Sequence, residues 1–339
     1  MAESWVVVGL DNGGNKNNAT VLDPAGSFLV DTLYETPSRV TEGPEIAVQA
    51  LVACFEDILR RTSVERARVR AVGMDSPGPA SAEGVISSRG STNFSHPGWR
   101  NFDFRGALQE RLQLPVIYNN DANAAALYAH FELFGPLAPQ CSSVSVVVGT
   151  GLGGGVIEKG RVIKGAAGFA GELGHIHVPM EGLLGKDQPL PRCNCGFSGD
   201  AESVASLTGI EINLLPYWLG QHPEHELSKV GSISQAAKLV RGYAEKGDPL
   251  ALGIFEQQAM ALGRLFTIAA AFTDPEGYFV GGGVVETAPH FREWFLAKVR
   301  ENTALKEEQA ASARFAVVPH LDMAGARGAA LAALRSLKA

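Results

Sequence analysis

The stretch VSVVVGTGLGGGVIEKGRVIKGAAGFAGELGH, residues 144–175, carries two kinds of chemistry in one continuous segment. Residues 144–148 are a β-branched run that predicts a buried strand, and Gly149-Thr150-Gly151-Leu152-Gly153-Gly154-Gly155 turns it into a second strand at Val156. Glycines at such a turn let backbone N–H groups approach an anion with no Cβ in the way, and Thr150 adds a hydroxyl donor. A plain hairpin that needs positive φ would use the same glycines. The second half of the stretch favours the anion: after Gly168 comes Glu172-Leu173-Gly174-His175, a carboxylate and a titratable ring among small residues. A phosphate loop and a polar clamp are thus expected to share one cleft.

The same plan occurs near the start of the chain. Residues 5–10 read as a strand, Asp11-Asn12-Gly13-Gly14-Asn15-Lys16 as a tight turn, and 17–23 and 28–33 as two further strands. The turn offers backbone donors, a carboxylate (Asp11) for Mg²⁺ or its waters, and a cation (Lys16). Taken alone it is also what any hairpin turn asks for. The repetition of strand, glycine turn, strand, strand predicts two similar domains that face each other.

Between and after these units the chain alternates helix and strand. Residues 45–60 have helical apolar spacing and 69–74 form a strand, followed by Asp75-Ser76-Pro77-Gly78-Pro79. That loop lies at the carboxyl end of its strand, where open α/β sheets place ligand groups. Ser91-Thr92-Asn93-Phe94 and Trp99 lie on a long connection, read as a surface loop with one packed aromatic or as a cleft border. Residues 106–112 are helical, 116–119 a strand, and Asn120-Asp121-Ala122-Asn123 opens the next helix. Asp121 suits an N-cap; it equally suits a base that takes the proton of a substrate hydroxyl. Further on, a helix is expected from Glu202, others over 234–244 and 249–272, and a flexible loop over 221–231. A strand at 277–280, the turn Gly281-Gly282-Gly283, a helix from near His290, a last strand at 314–318 and a small-residue helix that could pack between domains complete the chain.

The bulk properties narrow the function. At 339 residues two domains are expected, and 45% apolar with 19% charged residues is ordinary for a soluble globular protein. A net charge of −7 without a basic cluster argues against nucleic-acid or anionic-membrane partners. The start leads directly into a strand with no basic leader and no run long enough for a membrane span, so a cytoplasmic protein is expected. Of the four cysteines, Cys54 and Cys141 read as buried small hydrophobes, whereas Cys193 and Cys195 share a glycine-bearing loop.

With these residues in view the chain resembles the ROK family of sugar kinases and repressors across essentially its whole length. The matches are Asp11-x-Gly13-Gly14-x-Lys16; Asn120-Asp121-Ala122-Asn123; Thr150-Gly151-x-Gly153-Gly154-Gly155 with Glu172-x-Gly174-His175; Cys193-x-Cys195-Gly196 with Glu202; and Asp274-Pro275 with Gly281-Gly282-Gly283. The resemblance implies an α/β, actin-like (ribonuclease H-like) duplicated ATPase fold, two lobes around a central cleft. Residues 1–121 plus 322–339 would form the smaller lobe and 122–321 the larger. It also implies Asp121 as general base, and Gly78, Asn120, Glu172, His175 and Glu202 holding the sugar. Asp11, Gly13, Gly14, Asn15, Lys16, Thr150, Gly151 and Gly153 would serve Mg·ATP, with Gly282 and Gly283 at the adenine. Two departures stand out: Asn12, Asn15, Asn17 and Asn18 replace a hydrophobic residue, a Thr and mostly apolar residues, and Asp200 replaces the third cysteine of a zinc loop. Carboxylate oxygen is itself a zinc ligand, so a structural Zn²⁺ held by His175, Cys193, Cys195 and Asp200 is expected. The expected activity is transfer of the γ-phosphate of ATP to an aldohexose, glucose first and an N-acetylated hexosamine second, in a homodimer or homotetramer. Rival readings are a non-catalytic sugar-binding relative and a regulator. The regulator would need a DNA-binding domain, commonly at the N-terminus, where this chain starts its first strand.

Overall fold

The computed structural model describes residues 5–87 and 93–338; Ser91 and Thr92 of the long connection lie outside the described residues. Among the described residues ten strands form two five-stranded sheets. The first contains β1 (Val6–Asn12), β2 (Lys16–Leu22), β3 (Glu35–Pro37), β4 (Val69–Ser76) and β5 (Val116–Asn120), in the order β3-β2-β1-β4-β5. The second contains β6 (Ser143–Val148), β7 (Leu152–Glu158), β8 (Arg161–Val162), β9 (Gly277–Gly282) and β10 (Arg314–Val317), in the order β10-β9-β6-β7-β8. Written from the hairpin edge the two orders are the same, with an antiparallel β1–β2 or β6–β7 pair and then parallel strands beyond. The repetition read in the sequence is therefore a duplicated sheet.

Among the described residues these α-helices accompany the sheets: α1 (Pro44–Thr62), α2 (Phe104–Leu112), α3 (Asp121–Phe134), α4 (Leu207–Gly209), α5 (Leu215–Gln221), α6 (Ile233–Ala244), α7 (Pro249–Thr273), α8 (Pro289–Glu301), α9 (Glu307–Ser312) and α10 (Leu321–Ser336). The chain divides into a first unit, Met1–Ala138 with Gly160–Ala170 and Pro319–Ala339, and a second, Pro139–Lys159 with Gly171–Val318. This division differs from the expected break at 121, because α3 packs along α10 and so groups with the first unit.

In the first unit α10 lies directly on β1 and β4. A Cβ at Gly9 would stand 1.9 Å from the Ala326 carbonyl oxygen and one at Gly73 1.8 Å from that of Ala329, so only glycine allows the helix so close. The small-residue helix thus packs on its own sheet and α3, a different placement from the interdomain one expected. Trp99 is fully buried, its ring 4.6 Å from Phe94 and 4.9 Å from Phe104, and its Nε1 donates to Val40 O at 2.8 Å. The described part of the long connection is therefore an aromatic core, each such pair adding about 0.5–1.5 kcal/mol beyond burial.

In the second unit α7 is the longest helix, capped by Asp248, whose side chain accepts from Ala251 N. Its buried Gln258 donates through Nε2 to Val204 O and Ser206 O at 3.1 and 3.2 Å, fixing the turn that carries Glu202. Three local expectations are corrected. Residues 28–33 form no strand, and the third strand is Glu35–Pro37, because Phe28 turns inward against Tyr128 and Arg327. The helix expected from Glu202 begins only at Leu207, since Asp200 and Ser203 hold a turn first. The segment 221–231, expected to be flexible, is tied down by His225 Nε2 on Asp248 Oδ2 at 3.0 Å.

Candidate functional site

The polar residues of the first unit gather at the carboxyl ends of β1, β4 and β5. Gly13 N donates to Lys16 O at 2.8 Å and closes the turn between β1 and β2. Asn15 O accepts from Ser38 N at 3.0 Å, which leaves the Asn15 side chain exposed. The Asn93 side chain covers Gly14, where an added Cβ would meet its Oδ1 at 2.5 Å. Lys16, expected as a free cation, lies against Glu35; both are partly exposed, and such a surface pair yields readily to a better anion.

At the end of β5 the two readings of Asp121 separate. Asn120 is the N-cap of α3, its Oδ1 accepting from Ala122 N at 3.0 Å and Asn123 N at 3.4 Å. Asp121 is the first helical residue, half-buried, its Oδ1 accepting from Ala122 N at 2.7 Å. Capping thus falls to Asn120, and the Asp121 carboxylate lies in the first turn, at the positive end of the helix. Gly78 belongs to the same corner, a Cβ there standing 3.5 Å from Asn120 Nδ2.

Sequence reasoning placed Asp75 in a ligand-facing loop, whereas it belongs to β4. It is fully buried on β4, directly opposite Asp11 on β1. Burial and the carboxylates of Asp11 and Asp121 push its pKa well above the usual carboxylate range. Asp11 is raised as well, by desolvation, while bonds from Asp75 and Asn18 pull it back.

In the second unit the turn 149–151 is held from below. Thr150 O accepts from Thr208 N at 3.1 Å and Thr208 Oγ1 at 2.8 Å, and Gly149 O from Leu207 N at 2.9 Å. With its carbonyls so used, the turn presents Gly149 and the Thr150 side chain to solvent. Glu202 sits where three segments meet: its Oε2 accepts from Leu152 N at 2.8 Å, its Oε1 from Cys193 Sγ at 3.4 Å, and its N–H donates to Gly174 O at 2.8 Å. A residue expected only at the sugar is thus bonded to the phosphate turn and the cysteine loop. Glu172 follows on the same side, its pKa raised by desolvation, lowered by His175 and raised again by Glu202.

His175, Cys193, Cys195 and Asp200 converge, with one ligand atom of each within 4.8 Å of all the others. His175 Nδ1 is 3.3 Å from Asp200 Oδ2 and 3.8 Å from Cys193 Sγ, and Cys195 Sγ is 3.6 Å from Asp200 Oδ2. Ligand bonds of about 2.0–2.3 Å around a tetrahedral zinc separate the ligands by roughly 3.3–3.8 Å, so the donor set fits in both type and spacing. Asp200 is fully buried and aimed by its second oxygen, which accepts from Ser203 N at 2.9 Å. Gly282 and Gly283 behave differently from each other. Gly282 has φ +94° and a Cβ there would collide with Val148 O, whereas Gly283 O accepts from Arg241 Nη1 of α6, a cation that no sequence pattern announced.

The ROK family profile matches residues 7–336. The glucokinase of Halalkalibacterium halodurans is 30% identical over 319 residues, covering 90% of this chain and 91% of that protein. The crystal structure of the ROK hexokinase from Thermus thermophilus superposes with a TM-score of 0.76 at 30% identity, covering 98% of this chain and 99% of the other. That of a ROK family glucokinase from Streptomyces griseus, in complex with glucose and AMPPNP, gives 0.69 at 28% identity, covering 97% and 99%. The duplicated sheets are accordingly those of the actin-like ATPase fold. Profile, sequence and fold agree over nearly every residue, and the chain belongs to the ROK family.

Proposed function

We propose that the chain is an ATP-dependent sugar kinase that moves the γ-phosphate to a hydroxyl of an aldohexose, glucose before an N-acetylated hexosamine. The observation that carries the reading is the corner at the start of α3, where Asn120 takes the capping role beside Gly78 and Asp121 stands half-buried in the first turn. Asp121 accepts the proton of the attacking hydroxyl while the sugar oxygen forms its bond to the γ-phosphorus and ADP leaves. Asn120, Glu172, His175 and Glu202 are the sugar's hydrogen-bond partners in this reading. Gly13, Gly14, Gly151 and Gly153 and the Thr150 hydroxyl cradle the phosphates. Asn15 and Lys16 stand at the phosphate end, and Gly282 and Gly283 border the adenine. Phosphoryl transfer needs chiefly positioning and charge neutralisation, and these groups supply both. When bound, Mg²⁺ would supply charge neutralisation at the phosphates, and the half-buried Asp11 beside the glycine turn would hold it through its water shell.

A structural zinc belongs to the same reading. His175, Cys193, Cys195 and Asp200 would hold it, pinning the loop from which Glu202 reaches Leu152 N. Among the described residues no helix is long and apolar enough to cross a membrane. Cytoplasmic placement and a homodimer or homotetramer complete the proposal. Its test is a phosphorylation assay over glucose, mannose, fructose, N-acetylglucosamine and N-acetylmannosamine, with ATP and with polyphosphate as donor. Turnover with glucose and ATP is expected; sugar binding without turnover on any member would make the chain a binding protein instead.

A further inference from the structure

Residues 207–221 run as one helical stretch, α4 into α5, broken by a single wide π turn at Ile210–Leu214. Pro216 supplies a local cause: it has no N–H for a carbonyl four residues back, and the wider turn takes up the lost bond. The turn carries Asn213, whose side chain leaves its own helix for two other segments. Asn213 Oδ1 accepts from Arg192 N at 3.1 Å, while Nδ2 donates to Arg192 O at 3.0 Å and to Ser203 O at 2.8 Å. One amide thus pairs with Arg192 as a neighbouring strand would, and ties it to Ser203.

Those two residues flank a contact inside the site. Arg192 precedes Cys193 and Ser203 follows Glu202, and Cys193 Sγ donates to Glu202 Oε1 at 3.4 Å. The other oxygen of Glu202 accepts from Leu152 N at 2.8 Å, and a Cβ at Gly151 would stand 2.7 Å from it. The Glu202 carboxylate therefore lies directly against the glycine turn, at a place set by two backbones that Asn213 holds together. Gln258 bonds only the far side, at Val204 O and Ser206 O. Bonding one segment would anchor the loop; bonding both fixes the spacing on which the carboxylate's placement depends.

We propose that Asn213 is a positioning residue for Glu202, setting its carboxylate against the 149–153 turn and so holding that turn in shape for the phosphates of the nucleotide. The inference rests on the reading of that turn as a phosphate site.

A double-mutant cycle read by calorimetric titration with Mg·ADP tests it on the full chain. Glu202→Ala, or Glu202→Asp should the first not fold, should weaken ADP binding about tenfold. Asn213→Ala should weaken it about fivefold in the parent and by less than about 1.5-fold once Glu202 is replaced, since the two act through one bond. Asn213→Gln, whose amide is displaced by one methylene, takes its place if the alanine variant does not fold. Equal losses in both backgrounds would make Asn213 independent of Glu202, and unchanged affinity in either single variant would reduce it to a loop anchor; each result overturns the inference. A parent that binds no ADP would overturn the reading of the turn, and this inference with it.

Discussion

In the first unit the hairpin strands meet their turn through Asp11, Asn12, Asn17 and Asn18; in the second, through Val147, Val148, Leu152 and Gly153. The strand plan is the same, yet one turn rises from buried polar side chains and the other from valine and bare glycine backbone. In the first, Asn12 Nδ2 donates to Asn17 Oδ1 at 2.7 Å, Asn18 Nδ2 donates to Asp11 Oδ2 at 3.1 Å, and Asp75 lies opposite Asp11 in register. The second has no such interior network at its turn, which is held from outside by Glu202 on Leu152 N and by Thr208 on Thr150 O. A duplicated sheet can thus supply an anchored carboxylate at one turn and an unobstructed backbone cradle at the other. Metal and phosphate ask for those opposite properties.

The sharpest way to break this division of labour is at Asp121. Asp121→Asn should keep the fold and the sugar affinity, because Asn120 makes the cap, but lose about 10²- to 10⁴-fold in kcat. Turnover within a few-fold of the parent would reduce Asp121 to a first-turn residue.

The external support of the second turn can be broken in two places. Cys193→Ser should lower the metal content from about one zinc per chain to a small fraction, and chelation of the parent should lower its melting temperature by several degrees, read by metal analysis and calorimetry. Metal-free parent with unchanged melting temperature and full activity would remove zinc from the account. Glu202→Ala leaves the Leu152 N–H without its acceptor, at a cost of about 1–3 kcal/mol. It should raise KM for ATP about tenfold as the turn loosens; a change confined to KM for the sugar would return Glu202 to the sugar alone.

The internal support of the first turn has a pH signature. The folded-state pKa of Asp75 lies above its unfolded value, so the folded chain holds a proton that the unfolded chain releases. Stability from this group therefore falls as pH rises above the unfolded value of about 3.9, until the folded pKa is reached. Asp75→Asn removes that dependence and should raise the melting temperature of nucleotide-free protein more at pH 8 than at pH 5. An equal shift at both would mean that Asp75 is ionised in the fold. The smallest effect is expected at Asn15, whose exposed side chain makes Asn15→Thr a few-fold change in apparent ATP affinity with sugar preference kept. A changed sugar preference would move Asn15 to the sugar side.

By itself the sequence determined the period and order of the elements. The valine run before Gly149, the alanine-rich start of α3 and the long apolar α7 are local patterns, set by sterics and burial within a few residues, and each stands where it was read; the first glycine turn is shorter than read, Asp11 and Asn12 belonging to β1 and Lys16 to β2. The repeated strand plan and the cysteine loop were legible for the same reason, as was the convergence of Asp200 with His175 by family resemblance. Residues 28–33 failed because only Phe28 and Leu29 pair with the end of β2, and the ladder stops there.

Tertiary structure alone decided the partners. That Asn120 and not Asp121 caps α3 depends on a shift of one residue in where the helix starts, which composition does not encode. That Asp75 lies against Asp11 depends on the register of two strands almost sixty residues apart, and that Glu202 reaches Leu152 N depends on where Gln258 of α7 holds its turn. Hydrogen bonds and desolvation act over a few ångströms of space whatever the separation along the chain. Residue types could therefore announce the chemistry available, while only packing could assign each charge and each donor its partner.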